Sequence, residues 1–165
     1  AYNLLAVYGA AVLLGFDRGE TLRAASMLHP VSGRFELVRS ANGVTAVVDY
    51  AHTPDALENV IRTIEEIRTP AQKLIVVCGC GGDRDRTKRP IMGRIASEIA
   101  DLVIVTSDNP RTEEPEAIIA DILEGMKDSS TPREVITDRI EAIEWAIEHH
   151  RPGDVIVLAG KGHED

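Results

Sequence analysis

The sequence predicts an α/β fold: a mostly parallel sheet of about six strands with one antiparallel edge strand and helices on both faces, preceded by a short helical segment. Three observations carry this. Short runs of Val, Ile and Leu recur along the chain and alternate with stretches of helical spacing. The pair Asn42-Gly43 stands between the first two β-prone runs and signals a hairpin. Aromatic residues make up only 4% of the chain, and most apolar residues are Ala, Val, Ile and Leu, a composition suited to α/β layers.

Taken in order, Asn3 to Leu14 is rich in Ala and Leu and reads as a helix stopped by Gly15. Asp17 caps a second helix running to about Leu28. His29 to Gly33 breaks the pattern as a linker, dividing the chain into residues 1–30 and a main domain of residues 31–165. Phe35 to Arg39 and Val44 to Val48 are the hairpin strands. Pro54 to Ile67 is helical, with Thr53 at the N-cap and proline at the first position. Leu74 to Cys78 is a buried strand, Pro90 to Ala100 a helix, and Leu102 to Thr106 a second buried strand. Pro115 to Met126 is helical, Glu134 to Ile136 a short strand, Arg139 to His149 a helix, and Val155 to Ala159 the last buried strand. The chain shows no internal repeat.

With 165 residues, 44% hydrophobic and 27% charged, the composition is that of an ordinary globular domain. Lys and Arg number 18 against 27 Asp and Glu, a net charge of −9, which disfavours general binding to nucleic acid or an anionic membrane. No apolar run approaches the roughly 20 residues of a membrane span. The first 15 residues lack the basic start of a signal peptide. Cys78 and Cys80 supply neither a disulfide framework nor a four-ligand zinc site and read as reduced, partly buried thiols of a cytoplasmic protein. The lack of an initiator Met and the abrupt end at Asp165 read as a piece of a longer protein.

In open α/β sheets, ligands bind beyond the carboxyl ends of the strands. Four loops leave strands at that edge: residues 49–54, 79–86, 107–111 and 160–165, each rich in charge or glycine. Glycines between Gly79 and Gly82 let the backbone approach an anion, with Arg84 and Arg86 just after them. The loop is neither a Walker A motif nor a complete dinucleotide fingerprint, and a tight strand-to-helix turn is its other reading. Arg111 can fork onto a carboxylate or phosphate, or pair with Glu113 or Glu114 at the surface. His52, beside Asp49, is a ligand contact, a proton-transfer group or a cap. Asp83 and Asp85 read as partners of the neighbouring arginines rather than metal ligands. Lys161 between two glycines suits a phosphate, and Glu164 an ammonium, or both belong to a polar tail. Asp101, Glu113, Glu114, the acids of Glu141 to Glu148 and the pair His149-His150 read as solvated.

Together and in this order these segments resemble the C-terminal domain of the Mur ligase family, of the type that adds meso-diaminopimelate. The likeness rests on SGRFE at Ser32 to Glu36, DYAHTPDALE at Asp49 to Glu58, GCGGDRD at Gly79 to Asp85, KRPIMG at Lys88 to Gly93, DNPRTEEP at Asp108 to Pro115 and AGKGHED at Ala159 to Asp165. Residues 1–28 resemble the tail of the family's central domain. The resemblance implies a Rossmann-like sheet and an ATP-dependent amide ligase of peptidoglycan precursor synthesis. It implies ATP, a UDP-muramoyl dipeptide and meso-diaminopimelate as substrates, and Mg2+ held by a central domain outside this chain. It also implies that the chain closes on its own central and N-terminal domains and is inactive alone. It assigns the diaminopimelate pocket to Arg84, Asp108, Asn109, Pro110, Arg111, Gly160 and Glu164, and nucleotide contacts to Asp49, Tyr50, His52 and Lys161, with no metal ligand or catalytic residue here.

A lysine-adding ligase is the first rival; it would leave Arg111 with no carboxylate to bind. Folylpolyglutamate synthase shares a His-containing loop but not the DNPR and AGKGHED segments. A non-catalytic nucleotide- or anion-binding module fits the glycine loop but not Arg111 and Glu164 in separate strand-end loops. A nicotinamide-binding domain is disfavoured by the incomplete glycine fingerprint.

Overall fold

The computed structural model describes residues 2–28, 31–40 and 43–163. The chain divides into two compact units, Ala1–Val31 and Ser32–Asp165. The first holds α1 (Tyr2–Leu13) and α2 (Arg18–Ser26). Asp17 caps α2 by accepting the Glu20 N–H at 2.9 Å. α2 buries none of its residues, and Leu5, Leu13, Leu14 and Phe16 stand exposed.

The second unit is a sheet in the order β1-β2-β6-β3-β4-β5. Its strands are β1 (Glu36–Arg39), β2 (Thr45–Asp49), β3 (Leu74–Cys78), β4 (Leu102–Val105), β5 (Arg133–Val135) and β6 (Val155–Ala159). β1 runs antiparallel to β2, and every other neighbouring pair is parallel. The helices are α3 (Pro54–Ile67), α4 (Lys88–Ile99), α5 (Pro115–Glu124) and α6 (Arg139–His149).

Strand alternation builds two cores. Leu74, Val76 and Cys78 of β3 face one core with Val103, Val105, Val155 and Val157, covered by α3, α4 and α5. Ile75, Val77, Ile104 and Ile156 face the other, covered by α6. α3 meets the sheet with Leu57, Val60, Ile61 and Ile64, one stripe at helical spacing. Thr53 caps it by accepting the Ala56 N–H at 3.3 Å, with Pro54 in its first turn. α6 uses Ala142 and Ala146, small enough for close approach to the strands. α4 and α5 touch through glycines: a Cβ on Gly125 would stand 1.8 Å from the Pro90 carbonyl oxygen, and one on Gly93 2.2 Å from that of Ile122.

Several boundaries move by a residue or two. Phe35 lies outside β1 in a left-handed conformation (φ 49), its N–H held by the Asp49 carboxylate at 2.7 Å. The hairpin strand expected at Val44 is β2 from Thr45, and the expected turn residue Asn42 lies outside the described residues. α4 starts at Lys88, because Pro90 is tolerated anywhere in a first turn whose N–H groups lack helical acceptors. α5 ends at Glu124 with Gly125 as its C-cap. Among the described residues no helix is long and apolar enough to cross a membrane.

Candidate functional site

Because β2, β6, β3 and β4 are parallel neighbours, their carboxyl ends lie side by side and their loops meet at one edge. All four loops line one cleft of about 590 Å3: Tyr50 and His52 after β2, Gly81, Arg84 and Asp85 after β3, Asp108, Asn109 and Arg111 after β4, and Gly160 after β6. Lys88 and Ile91 of α4 complete the wall.

Of the proposed acceptor residues, Arg84, Asp108, Asn109, Arg111 and Gly160 share this cleft. Pro110 stands behind it, its carbonyl accepting the Glu113 N–H at 3.0 Å. Glu164 lies outside the described residues. Of the proposed nucleotide residues, Tyr50 and His52 line the cleft, whereas Asp49 and Lys161 do not. The Asp49 carboxylate is taken by the Phe35 N–H. The Tyr50 ring packs 4.5 Å from His52 and 5.6 Å from His163 between centroids, with the Arg34 guanidinium 4.9 Å from its own. His52 Nδ1 meets the Tyr50 carbonyl at 2.9 Å.

Among the described residues none of the cleft's cations, Arg84, Lys88 and Arg111, forms an ion pair, although the chain carries nine more acids than bases. Arg111 adopts a left-handed backbone (φ 54), and its Nη1 donates to the carbonyls of Gly82 at 2.9 Å and Asn109 at 3.2 Å. The expected pairing with Glu113 or Glu114 does not form, because Glu113 is engaged elsewhere. Lys88 Nζ donates to the His52 carbonyl at 2.7 Å, tying the β2 loop to α4.

The loops after β3 and β4 are clasped together. Gly82 N–H donates to the Asn109 carbonyl at 2.8 Å, and a Cβ on Gly82 would stand 1.8 Å from the Pro110 oxygen. Asp83 and Asp85 are not partners of the arginines. Asp83 accepts the Thr112 hydroxyl at 2.7 Å, and Asp85 accepts the Thr87 hydroxyl at 2.6 Å, an Asx turn at the start of α4.

Glu113 is partly buried rather than solvated, and Asp101, though exposed as expected, is paired. Asp101 pairs with Arg68 and accepts the Leu74 N–H at 2.8 Å. Glu113 accepts both terminal nitrogens of Arg89, a fully buried guanidinium that sequence reasoning missed. A signal for it existed: Arg89 stands in the first turn of a helix with no acidic residue there, where a cation opposes the helix dipole unless carboxylates answer it. Hydrogen bonding from Arg89, then from the Asp83 N–H, holds the Glu113 carboxyl down at about 2. Arg139, also missed, lies on the opposite side of the sheet. It donates to the Ala159 carbonyl at 3.0 Å and the Ser107 carbonyl at 3.5 Å, just before Gly160 and Asp108, and its burial lowers its pKa.

Both thiols are fully rather than partly buried, since side chains of β3 and its exit loop face the larger core. Burial pushes Cys78 up to about 12 and Cys80 up to about 11, so neither is a nucleophile near neutral pH. His149 stacks on Trp145, rings 3.9 Å apart, and His150 is half-buried rather than solvated. His29 lies outside the described residues. Among the described residues no group of three or more His, Cys, Asp or Glu gathers as metal ligands do.

The domain model "Mur ligase, glutamate ligase domain" matches residues 33–162. A UDP-N-acetylmuramoyl-L-alanyl-D-glutamate--2,6-diaminopimelate ligase of Bacteroides thetaiotaomicron is 54% identical over all of this chain and 34% of its own length. A solved structure bearing the same enzyme name superposes with a TM-score of 0.74 at 46% identity, over 98% of this chain and 33% of that one. The UDP-N-acetylmuramate-alanine ligase of Thermotoga maritima superposes equally well, TM-score 0.74, over 98% of this chain and 34% of its own; at 23% identity it bears on the fold alone. The chain thus spans about a third of the length of the relatives it matches.

Proposed function

This chain belongs to the Mur ligase family, and from that premise we propose that it is the C-terminal part of a cytoplasmic, ATP-dependent amide ligase adding meso-diaminopimelate to a UDP-muramoyl dipeptide. Residues 1–30 are then the helical tail of a preceding ATP-binding domain, and residues 31–165 the acceptor-binding domain. One observation carries the reading: three cations that form no ion pair among the described residues line a cleft in an acidic chain, and two of them are arginines. Guanidinium groups bind a carboxylate through paired, charge-assisted hydrogen bonds. Diaminopimelate differs from lysine by a second carboxylate, and Arg111 with Arg84 are placed to receive it. Half-buried Asp108 supplies the negative charge for an ammonium, and Asn109, Pro110, Gly160 and Glu164 complete the pocket.

Tyr50 and His52 hold the nucleotide at the β2 side of the same cleft, with Asp49 and Lys161 flanking them. The chemistry is then transfer of the ATP γ-phosphoryl group to the dipeptide carboxylate. That transfer releases ADP; the acceptor's amine then attacks the acyl phosphate, losing a proton, forming the amide and expelling phosphate. This chain's share is to bind and orient the amine and to shield the acyl phosphate from water. The Mg2+ that accompanies ATP is assigned to the preceding ATP-binding domain, as the family resemblance implies.

The test uses the full-length protein with ATP, Mg2+ and the UDP-muramoyl dipeptide, comparing meso-diaminopimelate with L-lysine by formation of the UDP-tripeptide. Product with diaminopimelate alone is expected. Product with lysine refutes the acceptor assignment but keeps the ligase. No product with either, from folded protein that binds ATP, refutes both.

A further inference from the structure

We propose that Arg89 is the positioning residue of the acceptor pocket: buried beneath the cleft, it fixes through Glu113 the spacing of the two loops that carry Arg84 and Arg111, and so sets how tightly the acceptor's second carboxylate is held. This rests on the acceptor reading above and adds a residue that touches no ligand.

Arg89 is 0% exposed. Its guanidinium forks across Glu113, Nη2 to Oε1 at 2.7 Å and Nη1 to Oε2 at 3.0 Å, while Nη1 also meets Asp121 of α5 at 2.9 Å. Glu113 Oε1 accepts the Asp83 N–H at 2.7 Å as well. One carboxylate therefore belongs to the β4 loop, is gripped by α4 and holds the β3 loop. Arg84 is the next residue after Asp83, and Arg111 stands two residues before Glu113. Asp83 and Arg111 both have left-handed backbones, φ 51 and 54, which L residues keep only when their surroundings hold them there.

Stability alone does not account for this network. A buried ion network gains little over apolar packing of the same volume. Arg89 Nε is buried and has no hydrogen-bond partner among the described residues, and the first turn of α4 is an unfavourable place for a cation. What the fork supplies, and apolar packing does not, is a fixed two-point geometry between loops. Arg86 also reaches Glu113, at 3.6 Å, but its side chain is 63% exposed and screened by water.

The experiment uses the full-length protein and the variants Arg89→Lys, which keeps the charge and loses the fork, and Glu113→Gln, which keeps the length and loses the charge. KM for diaminopimelate and for ATP, kcat, and amide hydrogen exchange are measured for each. Arg89→Lys is expected to raise KM for diaminopimelate by about tenfold or more while KM for ATP stays within about twofold. Glu113→Gln should move it in the same direction, and the double variant should be no worse than Arg89→Lys, since both remove one contact. Protection of Gly82 and Asp83 should fall together with that of Glu113, while β3 and β4 keep theirs. Equal changes in the two KM values, or a lower melting temperature and kcat at unchanged KM, would overturn the proposal and leave Arg89 merely structural. If the wild-type protein turns over no acceptor, the acceptor reading fails. Hydrogen exchange then judges Arg89: joint loss across the loops keeps it as their positioning residue, and independent or absent loss removes that role.

Discussion

Arg111 is fixed before any ligand arrives. Its left-handed backbone and the bonds from Nη1 to Gly82 and Asn109 occupy one nitrogen. Nε and Nη2, which have no partner among the described residues, are left for a carboxylate. A lysine there keeps the charge but has one nitrogen to share between the loop carbonyls and the ligand. Arg111→Lys should therefore raise KM for diaminopimelate strongly. A charge-assisted bond of about 1.5–3 kcal/mol corresponds to roughly 10- to 100-fold. KM for ATP should stay within about twofold, because the nucleotide reading uses other residues. Steady-state kinetics on both substrates checks this, and near-normal use of diaminopimelate would remove the fork from the account. The residue itself was legible in the sequence, because a Pro-Arg pair after a buried strand places a guanidinium at the ligand edge. Its backbone conformation and its freedom from Glu113 were not. The second depends on Arg89, which reaches Glu113 across 24 residues of chain.

At the scale of elements, legibility followed the range of the forces. Strands β3, β4 and β6 showed as apolar runs because both of their faces are largely buried, and α3 showed through Thr53, Pro54 and its stripe. The start of α4, which has no side-chain cap, moves by two residues, whereas that of α5, equally without one, is marked by Pro115. Insertion of β6 between β2 and β3 has no local signature, yet it brings Gly160 beside Asp108: a Cβ on that glycine would stand 2.8 Å from Asp108 Oδ2. The α4–α5 contact is a long-range feature of the same kind, and it bears on the site. Pro90, whose carbonyl a Cβ on Gly125 would strike at 1.8 Å, directly follows Arg89. The obstacle is backbone, which a rotamer change does not relieve. Gly125→Ala should destabilise the domain by about 1–3 kcal/mol through overpacking. Moving Pro90 should also raise KM for the acceptor more than KM for ATP. Chemical denaturation and the two KM values check the two halves separately; a variant as stable as the parent would show that the helices part at no cost.

Over the whole molecule the clasp ties acid stability to the site. Glu113 sits far below the ordinary carboxylate value of 4.5, at about 2, because Arg89 and the Asp83 N–H bind its charged form. When the chain unfolds, those partners leave and the group returns to its ordinary value. Above that value Glu113 is ionised in both states, and its full contribution to stability is present. As pH falls from about 4.5 towards about 2, the unfolded chain takes up a proton that the folded chain refuses, so stability must fall through that window. Arg89 stays charged throughout and adds no slope of its own. Glu36, lowered by the Gly33 N–H and the Ser32 hydroxyl, and Asp85, lowered by Thr87, act in the same direction and contribute to the same acid limb. Removing Glu113 alone should therefore flatten the limb without abolishing it. Denaturant melts of the parent and of Glu113→Gln at intervals from pH 7 to pH 3 test this. The stability difference between the two should be constant at the upper end and shrink as pH drops below the ordinary carboxylate value. A difference that stays constant to pH 3 would mean that the buried guanidinium does not hold the Glu113 charge. It would also weaken the case that the same pair sets the two arginine-bearing loops.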